Sequence, residues 1–293
     1  MAHCYIGCPI WTHPSWFGHI YPAKSRQINS LESYSRYFNS IEGNSSFYHL
    51  PEKTTLQKWA NSVPERFRFT LKLPRTISHE GKLDNCTGLL EQALEHFSVL
   101  GEKLGLVMLQ LPASFSPAQL PSLQHFIKHF PPHFSLAVEL RHLDFFAKGE
   151  AEIAVNRLLQ MHNIDRVIMD TRGLFACSAE QYSAQESALI REVQAKKPRV
   201  PTHVIATGQR PIVRFVGQTD IAQTKPYYRP WLHKIKQWLD EGKHPSVFFH
   251  MPDNKDAPWL AQSFVQDFNQ LYPNYALPNL NLAEPQKEQT DLF

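Results

Sequence analysis

Glycine is scarce in this chain, 12 of 293 residues, and none of it falls in a Gly-x-Gly-x-x-Gly or P-loop pattern. Those glycines let a backbone approach a pyrophosphate closely, so a Rossmann nucleotide enzyme is set aside. Gly-x-Ser-x-Gly is missing too, which removes the nucleophile-elbow hydrolases. His-x-His and His-Glu-x-x-His do not occur, nor does Cys-x-x-Cys. The four cysteines are Cys4, Cys8, Cys86 and Cys177. On one strand Cys4 and Cys8 would stand about 13 Å apart at Cα, beyond the roughly 7 Å that a disulfide tolerates, so all four read as reduced thiols. No run reaches the roughly 20 apolar residues of a membrane span. The opening Met1-Ala2-His3-Cys4-Tyr5 lacks the charged and apolar regions of a signal peptide, and a cytoplasmic protein is expected. Charge of one sign is also lacking. Lys and Arg number 30 against 27 Asp and Glu, a net +3 too mild to point to nucleic acid.

What the chain does have is alternation. Short apolar runs occur at Tyr5–Cys8, Ser40–Asn44, Arg68–Leu73, Leu106–Leu111, Ser135–Leu140, Arg166–Asp170, Ile212–Val216 and Ser246–His250. Their continuous apolar character suits parallel strands covered on both faces. Between them lie helical patterns. Leu31, Tyr34, Tyr37 and Phe38 form one stripe, and Asn85–Leu104 carries apolar residues at helical spacing. Ser116-Pro117 opens a helix that runs to about Phe130, and Trp231–Leu239 and Pro258–Leu271 follow. Eight strand–helix units predict an α/β fold, a single TIM-like (β/α)₈ barrel over residues 1–275, although periodicity alone leaves an open sheet in play. Residues 276–293 form a polar C-terminal tail with no helical stripe, expected to be loosely ordered.

In such barrels the chemistry sits at the C-terminal ends of the strands. Polar residues gather there: Glu42 and Asn44, Lys72, Gln110, Glu139 and Arg141, Asp170, Arg214 and His250. Glu139 with Arg141, or Asp170 with Arg214, reads equally well as a structural ion pair plugging the mouth. The collective pattern carries more weight, because seven of eight strands place a polar group at one end, and buried charge is costly unless paired or used. Trp11, Trp16, Phe17, Tyr21, Phe47, Tyr48, Tyr227 and Tyr228 follow strand ends; Trp11 and Tyr48 are candidates to line a ligand, against the plainer reading that such aromatics cap the core.

These segments carry a family resemblance. Ile6-Gly7-Cys8-Pro9-Ile10-Trp11 and Ile41-Glu42-Gly43-Asn44-Ser45-Ser46-Phe47-Tyr48-His49-Leu50-Pro51 are similar to the YecE-like family, the domain of unknown function numbered 72. Phe69-Thr70-Leu71-Lys72 with His79, Leu104–Pro112, Val138-Glu139-Leu140-Arg141-His142, Asp170, Arg214-Phe215-Val216-Gly217 and Phe248-Phe249-His250 continue it in order. The resemblance implies a TIM-like barrel with a polar site at its C-terminal mouth, and no settled reaction.

The first functional expectation is an enzyme acting on a polar or anionic small molecule, of sugar or sugar-phosphate type. Lys72, Arg141 and Arg214 would hold the anion. Glu139 or Asp170 would act as base and Lys72 or His250 as acid, or Lys72 would form a Schiff base. Glu42, Asn44 and Gln110 complete the ligand-binding set. No organic cofactor and no dedicated metal ligand are expected. The second expectation is a metal-dependent isomerase or phosphodiesterase resembling barrel endonucleases. Glu42, Glu139, Asp170 and His250 would supply a divalent metal's ligands, with the cations nearby opposing it. The third is a non-catalytic ligand- or nucleic-acid-binding protein, suggested by Lys196-Lys197-Pro198-Arg199 and Lys234/Lys236, although short basic runs are mostly solvated surface. A small-molecule partner is favoured over nucleic acid, and no membrane association is expected.

Overall fold

The computed structural model describes residues 2–22, 29–81, 83–275 and 277–283. Eight strands occur in these segments: β1 (Tyr5–Gly7), β2 (Ser40–Gly43), β3 (Arg68–Lys72), β4 (Leu104–Gln110), β5 (Leu136–Glu139), β6 (Asp165–Asp170), β7 (Ile212–Val216) and β8 (Ser246–His250). The helices of the first half are α1 (Ser30–Ser35), α2 (Ser45–Tyr48), α3 (Lys53–Ser62), α4 (Arg75–Ser78), α5 (Thr87–Phe97) and α6 (Leu120–His129). Those of the second half are α7 (Glu150–Met161), α8 (Arg172–Ala176), α9 (Ala184–Lys196), α10 (Ile221–Asp240) and α11 (Ala257–Leu271). Every strand falls within two residues of an apolar run read from the sequence. The strands pair in parallel in the order β1-β8-β7-β6-β5-β4-β3-β2.

The seam between β2 and β1 has no regular ladder, and other groups close it. Glu42 N–H donates to the Cys8 carbonyl at 3.1 Å. Asn39 accepts from Ile6 N–H at 2.7 Å and donates to the Cys4 carbonyl at 2.9 Å. The Tyr34 hydroxyl, presented by the buried stripe of α1, accepts from Cys8 N–H and donates to the Ser40 carbonyl. Gly7 is needed here, since a Cβ would stand 2.3 Å from the Ser40 carbonyl oxygen. The result is a nearly closed TIM-like barrel.

Side chains alternate across each strand, so residues two apart share a face. Leu106, Met108, Ala137, Val167, Ile212 and Phe248 form an apolar plug inside the barrel, separate from the larger core between strands and helices. Two residues beyond Met108, Ala137, Ile212 and Phe248 come Gln110, Glu139, Arg214 and His250. The period of the strand thus lifts a polar layer onto the apolar one.

Two helical expectations need correction. The pattern over Asn85–Leu104 is not one helix: α5 ends at Phe97 and a 3₁₀ segment follows, broken at Gly101 with φ 55. The helix expected at Trp231 begins earlier, at Ile221, and runs through Pro226 and Pro230, each of which removes one backbone bond. The sixth unit is also unusual. After α9 the chain runs back along β6: Thr202 reaches Asp170, Thr207 bonds Arg166 N–H and the Ile164 carbonyl, and Arg210 N–H meets Asp165. Of the expected tail, residues 277–283 lie along α11, with Leu277, Leu280 and Leu282 buried and Trp259 donating to the Ala283 carbonyl; residues 276 and 284–293 lie outside the described residues. Among the described residues no helix is long and apolar enough to cross a membrane.

Candidate functional site

The polar layer forms one connected cluster. Arg214, 3% exposed and at its centre, binds both oxygens of Glu42, from Nε at 2.9 Å and Nη2 at 2.7 Å, and one oxygen of Glu139 from Nη1 at 2.6 Å. Arg141 approaches the other Glu139 oxygen, with Nε at 2.7 Å and Nη2 at 2.6 Å. Lys72 donates to Gln110 Oε1 at 3.0 Å, stands 3.6 Å from Glu42, and lies 5.9 Å from the centre of the Phe47 ring. His250 Nε2 is 3.1 Å from Glu42. Planar guanidinium against planar carboxylate explains why Arg214 serves two glutamates at once.

Burial and neighbouring charge set the protonation states. Burial works against ionising Glu42, yet Arg214, His250 and Lys72 together hold it well below the usual carboxylate range. Glu139 is likewise buried, and Arg214 and Arg141 bring its pKa down to about 2. Burial, reinforced against Glu42's pull by Lys197 and Arg214, drops His250 to about 3, so the ring is neutral at physiological pH. An ionised carboxylate only accepts, so neutral His250 donates its Nε2–H to Glu42. Burial, then Arg214, lowers Lys72 to about 8.

These states separate roles that the strand-end pattern left together. Two carboxylates saturated by arginine are poor proton acceptors, because efficient acid–base groups titrate near the working pH. Glu42, Glu139 and Arg214 therefore make a rigid electrostatic frame, and neutral His250 is no acid near pH 7. Among these cluster groups Lys72, lowered to about 8, has the pKa nearest neutrality.

The structure brings Glu42, Lys72, Gln110, Glu139, Arg141, Arg214 and His250 together. It does not bring Asp170. Val167 belongs to the apolar plug in the lumen, and Asp170, an odd number of residues on, points the opposite way. There Asp170 accepts from Arg172 Nε at 2.9 Å and Nη2 at 2.8 Å, and from the α10 side chain Trp231 Nε1 at 2.7 Å. The strand-end pattern put Asp170 in the mouth cluster; its contacts instead anchor the β6 end to α8 and α10. Asn44 ties the rim, donating to the Pro9 carbonyl at 3.1 Å. Trp11 packs edge-on against Trp59 with centroids 5.0 Å apart, and Tyr48 is exposed, edge-on to Phe47.

One group was read differently from sequence. Lys197, taken as part of a surface basic run, is half-buried and lies in the field of Arg214, Glu42, Lys72 and Glu139. Its only local signal is Pro198, which ends α9 and biases the preceding residue to extended backbone. Nothing local says that the chain after this helix returns to the end of β6, where Thr171 donates to the Pro198 carbonyl at 3.2 Å.

A cavity of about 410 Å³ opens at the other end of the barrel, lined by Arg68, Gly105, Ser135, Arg210 and His244 among others. Its arginines are committed to backbone carbonyls, Arg68 to Glu65 and Phe67 and Arg210 to Gly105. The connected charged cluster at the C-terminal mouth is the stronger candidate site.

Residues 5–287 match the model of the family described as "Protein of unknown function DUF72". The chain belongs to this family. DUF72 membership is supported by 38% identity over 289 residues to the UPF0759 protein YecE of Escherichia coli K12, covering 99% of each chain. The UPF0759 protein YunF of Bacillus subtilis is 26% identical over 151 residues, covering 49% of this chain and 52% of that one. The DUF72 fold agrees with crystal structures. A DUF72 family protein of Enterococcus faecalis superposes with a TM-score of 0.67 at 18% identity, over 92% of this chain and 98% of that one. Another, from Thermotoga maritima, gives 0.58 at 20% identity, over 91% and 99%.

Proposed function

We propose that the protein is an enzyme acting on a small polar anion, of sugar or sugar-phosphate type, at the C-terminal mouth of the barrel. The observation that carries this reading is the charge balance. Two carboxylates, Glu42 and Glu139, face the three cations Lys72, Arg141 and Arg214. The cluster has surplus positive charge inside a low-dielectric wall, where each charge acts more strongly than in water. Arg141 keeps 20% of its side chain exposed, so an anion arriving from solvent meets it first. Lys72 then supplies a proton to developing negative charge, and Glu42, Glu139 and Arg214 hold the frame.

The donor set suits a divalent metal poorly. Arg214 already occupies both glutamates, and among the described residues no group of three or more His, Cys, Asp or Glu is placed to hold an ion. The nucleic-acid reading has less support, since Lys196 pairs with Glu192 and Lys236 with Asp240 on the surface.

Melting curves with inorganic phosphate and phosphorylated sugars test the proposal, with Arg141→Gln as comparison. Ligand at a hundred times Kd adds about 2.7 kcal/mol of stability. Spread over an unfolding entropy of about 2.1 cal/mol/K per residue, that is a rise of about 4 °C for the wild type and less for Arg141→Gln. Equal shifts in both proteins, or none in either, would remove the anion site.

A further inference from the structure

The strand period that lifts the polar mouth above the apolar plug also works downward. Two residues before Ala137, Ile212 and Phe248 of the plug come Ser135, Arg210 and Ser246. Two before Thr70, which pairs with Leu106 of the plug, comes Arg68. All of these line the cavity of about 410 Å³, as Leu106 does, so the cavity is the lower lumen of the barrel. Phe69 pairs with Leu104 but Thr70 with Leu106, which makes Gly105 the extra residue of a bulge. Both arginines meet there: Arg210 Nη1 donates to the Gly105 carbonyl at 2.9 Å, and a Cβ on Gly105 would stand 3.1 Å from the Arg68 Cβ. Each arginine bonds the protein through Nη1 alone, and Nε and Nη2 of both are unengaged among the described residues. The Thr70 and Ser246 side chains are only 2% and 4% exposed, and their hydroxyls have no partner among the described residues and open on the cavity. His3 N–H donates to His244 Nδ1 at 3.2 Å, which puts the proton of the neutral ring on Nε2. Among the described residues the exposed Glu102 is the one carboxylate on the lining. Asp165, two before Val167, is turned aside to Arg210 N–H at 3.0 Å, against Gly208.

We propose that this lower lumen is a second binding site of the protein, for a small phosphate monoester, separate from the mouth. The base of such a barrel ordinarily serves stability. Unpartnered hydroxyls and guanidinium edges around an open volume serve it poorly, because a buried polar group without a partner is destabilising. They suit a ligand instead, and the donors decide its class. A carboxylate has two oxygens, which a single guanidinium fork fills. A phosphate monoester presents three outer oxygens, so Arg68 and Arg210, meeting from the two sides of Gly105, can each take an edge and leave an oxygen for a hydroxyl. The volume lies within the roughly 300–1,000 Å³ of small-molecule sites, which leaves room beside the anion for a body of sugar size. The plug of Leu106, Met108, Ala137, Val167, Ile212 and Phe248 fills the lumen between the two ends. A ligand here therefore enters from the base, and the site stands whether or not the mouth binds an anion.

The test follows the histidine ring C–H signals by NMR while glucose phosphate, or neutral glucose in parallel, is added at pH 7 and constant ionic strength. His133 and His244 line the cavity and report on the base, His250 reports on the mouth, and the exposed His125 and His162 serve as surface controls. The proteins are wild type, Arg210→Gln at the base and Arg141→Gln at the mouth. Arg210 is exposed and precedes β7, so its replacement spares the strand ladder. The His133 and His244 signals are expected to move along one saturation curve in wild type and in Arg141→Gln, and glucose moves neither. In Arg210→Gln the same movement needs at least about tenfold more ligand, the worth of one charged hydrogen bond. Movement at His244 with none at His250 upholds the base site and removes the anion from the mouth. Movement at His250 alone overturns the base site and leaves the mouth standing. A His244 response that is unaltered in Arg210→Gln, matched by His125 and His162, or missing in every protein also overturns it.

Discussion

Arg214→Met is the most informative single change, because it removes the hub of the polar layer and keeps much of its bulk. Three hydrogen bonds go, two to Glu42 and one to Glu139. Two buried carboxylates are left with Lys72, Arg141 and His250 as their remaining partners. Removing one member of a buried ion pair costs about 3–5 kcal/mol, most of it the uncompensated charge. An unfolding entropy of about 2.1 cal/mol/K per residue amounts to about 0.6 kcal/mol/K here, so the loss corresponds to a Tm lower by about 5–8 °C. The pH dependence discriminates further. In the wild type Glu42 and Glu139 have depressed pKa values, so their contribution is full above the unfolded carboxylate value of about 4.3 and is lost only as pH falls toward the folded values, about 2 for Glu139. Without Arg214 those values climb, and the native state of the variant takes up protons more readily than its unfolded chain. The deficit is therefore largest at pH 8 and shrinks toward pH 5. Melting curves of both proteins across that range measure it. A deficit below about 1 kcal/mol, or one that does not change with pH, would refute the account of Arg214 as the neutralising hub.

Two further outcomes follow from other parts of the fold. Asp165 lies at the start of β6 against Gly208, and burial raises its carboxyl to about 7. A raised acid is penalised as pH climbs from about 4 through 7, so Asp165→Asn should gain stability at pH 8, at most about 4 kcal/mol, and progressively less toward pH 5; a variant no more stable than wild type at pH 8 rejects this. Asn39→Ala removes both side-chain bonds across the β1–β2 seam, which should lower stability by about 2 kcal/mol in urea unfolding, whereas an unchanged midpoint would mean that Glu42 N–H and Tyr34 close the barrel unaided.

The mouth also shows how one layer of a barrel divides its work. Glu42, Glu139 and Arg214 satisfy one another and are held in fixed charge states. Lys72 and Lys197 have pKa values brought down to about 8 and about 7 by burial and by Arg214. The arginine thus stabilises the glutamates and at the same time makes two lysines easier to deprotonate. Separating the proton affinities of neighbouring groups in this way is a recurring feature of sites that do chemistry.

The strands were legible because each is a short apolar run, and most of the polar layer was legible because Lys72, Gln110, Glu139, Arg214 and His250 stand at or near the ends of those runs. The same reading failed at Asp170, where one residue of parity decides between the lumen and the helical shell. Parity relative to the barrel axis is not written in a run that is apolar on both faces. Composition and periodicity by themselves therefore determined the α/β alternation, the eight strands and the end of the barrel that carries charge. Only the tertiary structure decided that the β1–β2 seam closes through Asn39 and Tyr34, that Arg214 bridges Glu42 and Glu139, and that the chain after α9 returns to the end of β6 at Thr171 and Asp170. Each of these joins residues far apart in the chain, and their energies arise from burial and mutual approach, which no local pattern encodes.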